Sequence, residues 1–196
     1  MPKLQWKPST LLNPVPVTMV TCADRKGKPN IITIAWTGTI CSEPPMISIA
    51  VRRERYSHGL IAAGKEFVIN LVTRKLLHAA DFCGVKSGRD VDKFAATALT
   101  PAPSSIVRIP LILESPVNIE CRVKTILPLG SHDLFLAEVV AVNVDERLVD
   151  ARGRLRLDRA GLVCYNHGEY FALGGKPLGY FGYSVRKRKK LKRSRT

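Results

Sequence analysis

Two long β-patterned segments limit the folds open to this chain. Residues 117–126 alternate strictly, with Val117, Ile119, Cys121 and Val123 on one face and Asn118, Glu120, Arg122 and Lys124 on the other. Such a period of two marks a strand with one face on a core. His132–Val144 carries Leu134, Leu136, Val139 and Val142 and is long enough for a bent strand. Shorter β-rich segments precede them at residues 15–22, 30–37, 46–51 and 67–72. The first two flank Asp24-Arg25-Lys26-Gly27-Lys28-Pro29, a turn cluster that predicts a hairpin. Helical signals are short: residues 57–64 with Ser57 as the cap, 74–82, and 91–96. Strands outnumber helices and do not alternate with them. The expected fold is therefore mainly β with a few helices, a closed antiparallel sheet with the helices packed outside.

Several function classes drop out. There is no GxGxxG and no GxxxxGK[ST], so neither dinucleotide fingerprint nor P-loop is available. No run approaches the roughly 18 apolar residues of a membrane helix, and the start Met1-Pro2-Lys3-Leu4-Gln5-Trp6 lacks a secretory apolar stretch. A cytoplasmic location is expected, with no membrane partner. The five cysteines, Cys22, Cys41, Cys83, Cys121 and Cys164, are widely spaced and form no CxxC pair. They read as small buried hydrophobes rather than disulfide or zinc ligands, and no residue set is assigned to a metal.

The formal net charge is +15, but eight cations and no acid lie in residues 185–196. Residues 1–184 then carry 15 − 8 = +7. The expected organisation is one folded domain over residues 1–184 and a basic, disordered tail over 185–196. The tail would touch nucleic acid only non-specifically, since no aromatics are interleaved for base stacking.

Chemistry concentrates in residues 30–59. The segment from Ile31 runs into Trp36-Thr37-Gly38-Thr39 and then Cys41-Ser42-Glu43-Pro44-Pro45, read as a strand end and a loop held open by the prolines. The next strand delivers Arg52-Arg53-Glu54-Arg55 into Tyr56-Ser57-His58-Gly59. Arginines entering a helix start form a plausible anion site, because the first-turn N–H groups are unpaired and carry partial positive charge. Arg52 and Arg53 point to opposite strand faces, so one of them at most meets a given ligand. The plainer reading is a solvated basic strand end.

These pieces, with Ser87-Gly88-Arg89-Asp90-Val91-Asp92-Lys93-Phe94, Gly130-Ser131-His132-Asp133-Leu134-Phe135 and residues 170–182, resemble the flavin reductase-like family. The resemblance runs over about residues 13–184. It implies a six-stranded antiparallel split β-barrel, a homodimer, and one FMN per subunit. Carried onto this chain, Ala35, Trp36, Thr37, Gly38 and Thr39 would line the ring and ribityl chain, with Ser42 beside them. Arg53, Ser57 and His58 would hold the phosphate. Ser87, Arg89 and Lys93 would approach the same cofactor from a flap. His132 would face the nicotinamide side and is the candidate catalytic residue. Asp90, Asp92 and Asp133 have no evident acid–base partner, and His167 reads as a turn residue.

Three functions follow. The first is an NAD(P)H-dependent flavin reductase passing electrons to free flavin, a metal or a partner protein. The second is a flavoredoxin-like electron carrier without pyridine-nucleotide turnover. The third is a polyanion-binding module driven by the tail. Hydride chemistry needs position and electrostatics rather than a protein nucleophile, so the lack of a triad is no objection.

Overall fold

A computed structural model describes residues 1–185. The basic tail expected over 185–196 lies, from Arg186 onward, outside the described residues. In chain order the elements are β1 (Val15–Pro16), β2 (Thr18–Ala23), β3 (Pro29–Ile34), β4 (Thr37–Ser42), β5 (Pro45–Arg52), α1 (Tyr56–Gly64) and β6 (Glu66–Leu71). They continue with α2 (Leu77–Val85), α3 (Lys93–Thr97), β7 (Pro101–Ala102), β8 (Leu111–Ile112), β9 (Val117–Pro128), β10 (His132–Val144), β11 (Val163–Asn166) and β12 (Glu169–Ala172).

The main sheet is antiparallel in the order β3-β2-β6-β9-β10-β5-β4. It has seven strands rather than the expected six, because the segment over 30–37 breaks at Ala35-Trp36. That break closes the sheet. β3 and β4 stand at opposite ends of the strand order, about 29 Å apart if the sheet were flat. The link from Ile34 to Thr37 reaches at most about 11 Å. The sheet must therefore curl until its two edges meet at this link, and a hydrogen bond from the Ala50 N–H to the Trp36 carbonyl carries the β4–β5 pairing right up to it. Along that seam β3 and β5 do not form a ladder, so the barrel is split there.

The interior of the barrel holds Val20, Cys22, Ile32, Ile49, Phe67 and Phe135, plugged by Ile61 of α1. A second cluster, with Met19, Ile31, Ala80, Cys83 and Phe94, packs α2 and α3 on the outer face of β2 and β3. Both faces of β2 are covered, so all six of its residues are buried. Four of the five cysteines are buried and all are free, Cys41 being half-buried.

Three local expectations are corrected. Residues 37–45 form β4 and a tight turn into β5 rather than an open loop; the ladder pairs Thr37 with Ile49 and Ser42 with Pro45. Ser57 does not cap α1: Arg55 occupies that position without a side-chain cap, and Ser57 is buried in the first turn. The polar face of β9 is not wholly solvated, since Asn118 and Glu120 are buried under residues 105–112.

Candidate functional site

The seam makes a cavity of about 540 Å³. Residues 32–36 form one wall and Ala50, Val51 and Arg52 the other, with His132 arriving from β10. The rings of Trp36 and His132 lie 4.6 Å apart at 42°. Trp36 is 44% exposed. Burial lowers the His132 pKa below the ordinary imidazole value, and the Arg52 charge adds to this against a weaker pull from Glu54. Both effects favour the neutral imidazole. Thr10, Asn13, Tyr165 and His167 close the far side. His167 is the turn residue anticipated, at φ +52°, yet it also lines the cavity.

A second cavity, about 300 Å³, adjoins the first through shared Ile32 and Arg55. Its lining is cationic: Arg55, Lys86, Arg89 and Lys93, against the single acid Glu54. Glu54 is itself paired with Arg52. The guanidinium of Arg89 lies 5.5 Å from the Tyr56 ring centroid, a cation–π contact.

Lys93 is the unusual member. It is 4% exposed, and its ammonium donates to the carbonyls of Ile31 and Cys83, both at 2.7 Å. Among the described residues no carboxylate pairs with it. Burial lowers its pKa from the usual 10.5, the Cys83 and Cys22 thiols oppose this, and Arg55 adds to the lowering. A buried ammonium whose neighbours are carbonyls and another cation leaves an uncompensated positive potential in the hollow. The start of α1 reinforces it: no side chain caps the end and no acid lies in the first turn, and although the His58 N–H donates to the Arg55 carbonyl, the helix end keeps its partial positive charge.

Ser57 contributes a hydroxyl that accepts from Asn30 Nδ2 at 2.7 Å. Gly88 lies over that pair. A Cβ at Gly88 would stand 2.0 Å from Asn30 Oδ1 and 3.1 Å from Tyr56 Cδ1, so only glycine fits. Gly88→Ala is expected to displace Asn30 and cost about 1–3 kcal/mol, the range for overpacking. A urea melt of the variant checks this, and an unchanged midpoint would show that the Ser87–Arg89 segment simply moves aside.

The sequence-derived residues thus fall into four groups. Ala35, Trp36 and His132 meet in the seam cavity. Ser57, Ser87, Arg89 and Lys93 meet in the cationic one, where Lys93 is spent on backbone carbonyls rather than extended into the space. Thr37, Gly38, Thr39 and Ser42 lie on edge strand β4 and line neither cavity; Thr37 Oγ1 donates to the Ser48 carbonyl. Arg53 and His58 also line neither. Both turn to Asp133, with Arg53 Nε at 2.7 Å and His58 Nε2 at 2.9 Å. This corrects the expectation that Asp133 lacks a partner, and it turns Arg53 and His58 toward Asp133 rather than into either cavity. Arg55 faces both cavities; the strand alternation applied to Arg52 and Arg53 does not reach it, because β5 ends at Arg52 and Arg53 already lies in the turn that leads to Arg55. Among the described residues no cluster of His, Cys, Asp and Glu could hold a metal, and no helix is long and apolar enough to cross a membrane.

A half-apolar cavity joined to a hollow with excess positive charge at a helix start suits a ligand with a ring system at one end and an anionic group at the other. The family model described as "Flavin reductase like domain" matches residues 11–174. The flavoredoxin of Desulfovibrio vulgaris (Miyazaki F) superimposes with a TM-score of 0.86 at 32% identity, covering 93% of this chain and 99% of that one. A flavoredoxin from Methanosarcina acetivorans shares the fold with a TM-score of 0.84 at 24% identity, covering 95% and 100%. An uncharacterized protein of Archaeoglobus fulgidus is 33% identical over 125 residues, 64% of this chain and 71% of that protein.

Proposed function

The chain belongs to the family of the flavin reductase like domain, and from that membership we propose an FMN-dependent oxidoreductase. The ring system of FMN would lie against the barrel seam and its phosphate in the cationic hollow. Bound there, FMN supplies the electron-transfer chemistry; the protein supplies position, charge and exclusion of water. The observation that carries this reading is Lys93, a buried ammonium with no carboxylate partner beside a cavity whose other cations are Arg55, Lys86 and Arg89.

Arg55 and Arg89 would hold the phosphate from the rim, Lys93 would add charge from beneath, and the first-turn N–H groups of α1 would complete the cradle. Ala35 and the backbone of residues 32–36 would form the ring wall. Trp36 and His132 would border the face open to a nicotinamide of NADH or NADPH. A homodimer fits edge strand β4, whose outer side carries no ladder partner among the described residues and whose Ile40 is exposed.

The test is an absorbance spectrum of the protein as isolated, followed by anaerobic titration with NADH and NADPH. We expect a flavin band that bleaches on adding one of the two. Absence of the band, with no FMN taken up on reconstitution, would overturn the reading. The 32% identity with a flavoredoxin over nearly the whole chain favours one alternative, an electron carrier. In that case the band bleaches only with a reduced partner protein and neither pyridine nucleotide acts.

A further inference from the structure

Asp133 lies on neither cavity, yet it joins them. In β10 successive side chains point to opposite faces. His132 therefore enters the seam cavity while Asp133 turns the other way, under the β5–α1 turn. There its two oxygens take different residues. Oδ1 accepts from Arg53 Nε at 2.7 Å and Oδ2 pairs with His58 Nε2 at 2.9 Å. Arg53 and His58 are the two ends of a six-residue segment. Between them lie Glu54, Arg55, Tyr56 and Ser57, all on the cationic cavity. His58 is also seated edge-on against Phe135, ring centroids 5.3 Å apart, two residues along β10 from Asp133.

One carboxylate thus clamps both ends of the turn that aims Arg55 and presents the first N–H groups of α1. The same strand fixes His132 one residue away. The Asp133 side chain is 12% exposed, so these bonds form in a partly dried setting where charge-assisted pairs hold geometry well. Ser57 and Tyr56 inside the segment are held by Asn30 and Arg89, but the N-terminus of α1 lacks a side-chain cap, and Asp133 is the side chain bonded to both ends of the segment.

We propose that Asp133 is a positioning residue. It holds the Arg53–His58 turn in its phosphate-binding shape and ties that shape to the strand bearing His132. This rests on the FMN reading above. Two effects of removing the Asp133 charge have opposite signs. Deleting an anion near the hollow favours a phosphate by simple electrostatics. Releasing the turn disfavours it, because Arg55 and the helix N–H groups must then be ordered on binding. Positioning requires the second to win.

The experiment measures FMN and riboflavin dissociation constants for wild type, Asp133→Asn, Asp133→Glu and Arg53→Gln by flavin fluorescence quenching. Riboflavin lacks the phosphate and reports the seam cavity alone. Asp133→Asn is expected to weaken FMN about 10-fold or more while riboflavin changes less than 2-fold. Asp133→Glu is expected to recover part of the loss. Arg53→Gln, at a half-exposed side chain, is expected to weaken FMN by a few-fold. Tighter FMN binding by Asp133→Asn would refute the proposal and return Arg53 to direct phosphate contact. Equal losses for FMN and riboflavin would also refute it, by showing a general structural role. Failure of the FMN reading is visible separately: wild type itself would then bind FMN no better than riboflavin.

Discussion

Lys93→Met is expected to weaken FMN binding by about 10- to 100-fold while leaving riboflavin binding nearly unchanged. The range corresponds to loss of one charge-assisted interaction, about 1.5–3 kcal/mol. Methionine keeps the length and apolar stem of the side chain, so the packing against α2 survives best with this replacement. The pH dependence follows from the lowered pKa. A buried amine whose pKa is depressed costs the folded chain stability while it is protonated, and the cost is relieved as pH rises through the folded-state value toward 10.5. A phosphate in the hollow favours the protonated form. The advantage of FMN over riboflavin should therefore hold at neutral pH and shrink as alkalinity neutralises Lys93. In Lys93→Met that limb should be flat. Isothermal titration at several pH values reads both effects, and an equal preference for FMN in wild type and variant would remove Lys93 from the site.

Glu120→Gln is expected to cost about 3 kcal/mol of stability, away from any ligand. Glu120 is fully buried, and its carboxylate accepts N–H bonds from Ser105, Ile106 and Val107 at 2.7–2.9 Å and one from Asn143 Nδ2 at 2.7 Å. Burial pushes its pKa up, but the bonds from Val107, Ser105, Asn143 and Ile106 outweigh this and hold it below the ordinary glutamate value. The amide removes the charge and turns an N–H₂ toward backbone donors, which leaves buried donors unpaired. The stability from this site is present above the unfolded-state pKa near 4.5. It is lost as pH falls through the lower folded-state value. Urea unfolding of the FMN-free protein at pH 7 and at acid pH should show the gap between wild type and variant narrowing in acid. A variant with the wild-type midpoint at pH 7 would mean that residues 105–107 are not anchored by Glu120.

Neighbouring residues explain how far the sequence could be read. The strand over His132–Val144 and its long partner were legible because alternation is a local property of the chain. The polar face of that partner misled, since Asn118 and Glu120 alternate like surface residues while residues 105–112 cover them. The resemblance assigns Lys93 to the cofactor, but nothing in its sequence neighbourhood shows that carbonyls 10 and 62 residues away hold it. Arg53 was favoured over Arg55 for the same reason: its partner Asp133 lies 80 positions along the chain.

The order of β-rich and helical segments, the turn at Gly27 and the concentration of arginines before α1 are all determined by the sequence itself, because each depends on residues within a few positions. Which guanidinium reaches the hollow and which face of β9 stays dry were decided by partners far along the chain, Asp133 and residues 105–112, and where the sheet opens was decided by the two-residue link at Ala35-Trp36 that draws the sheet edges together. Closure of a barrel is a constraint on distances across the whole sheet, and no local pattern of residues encodes it.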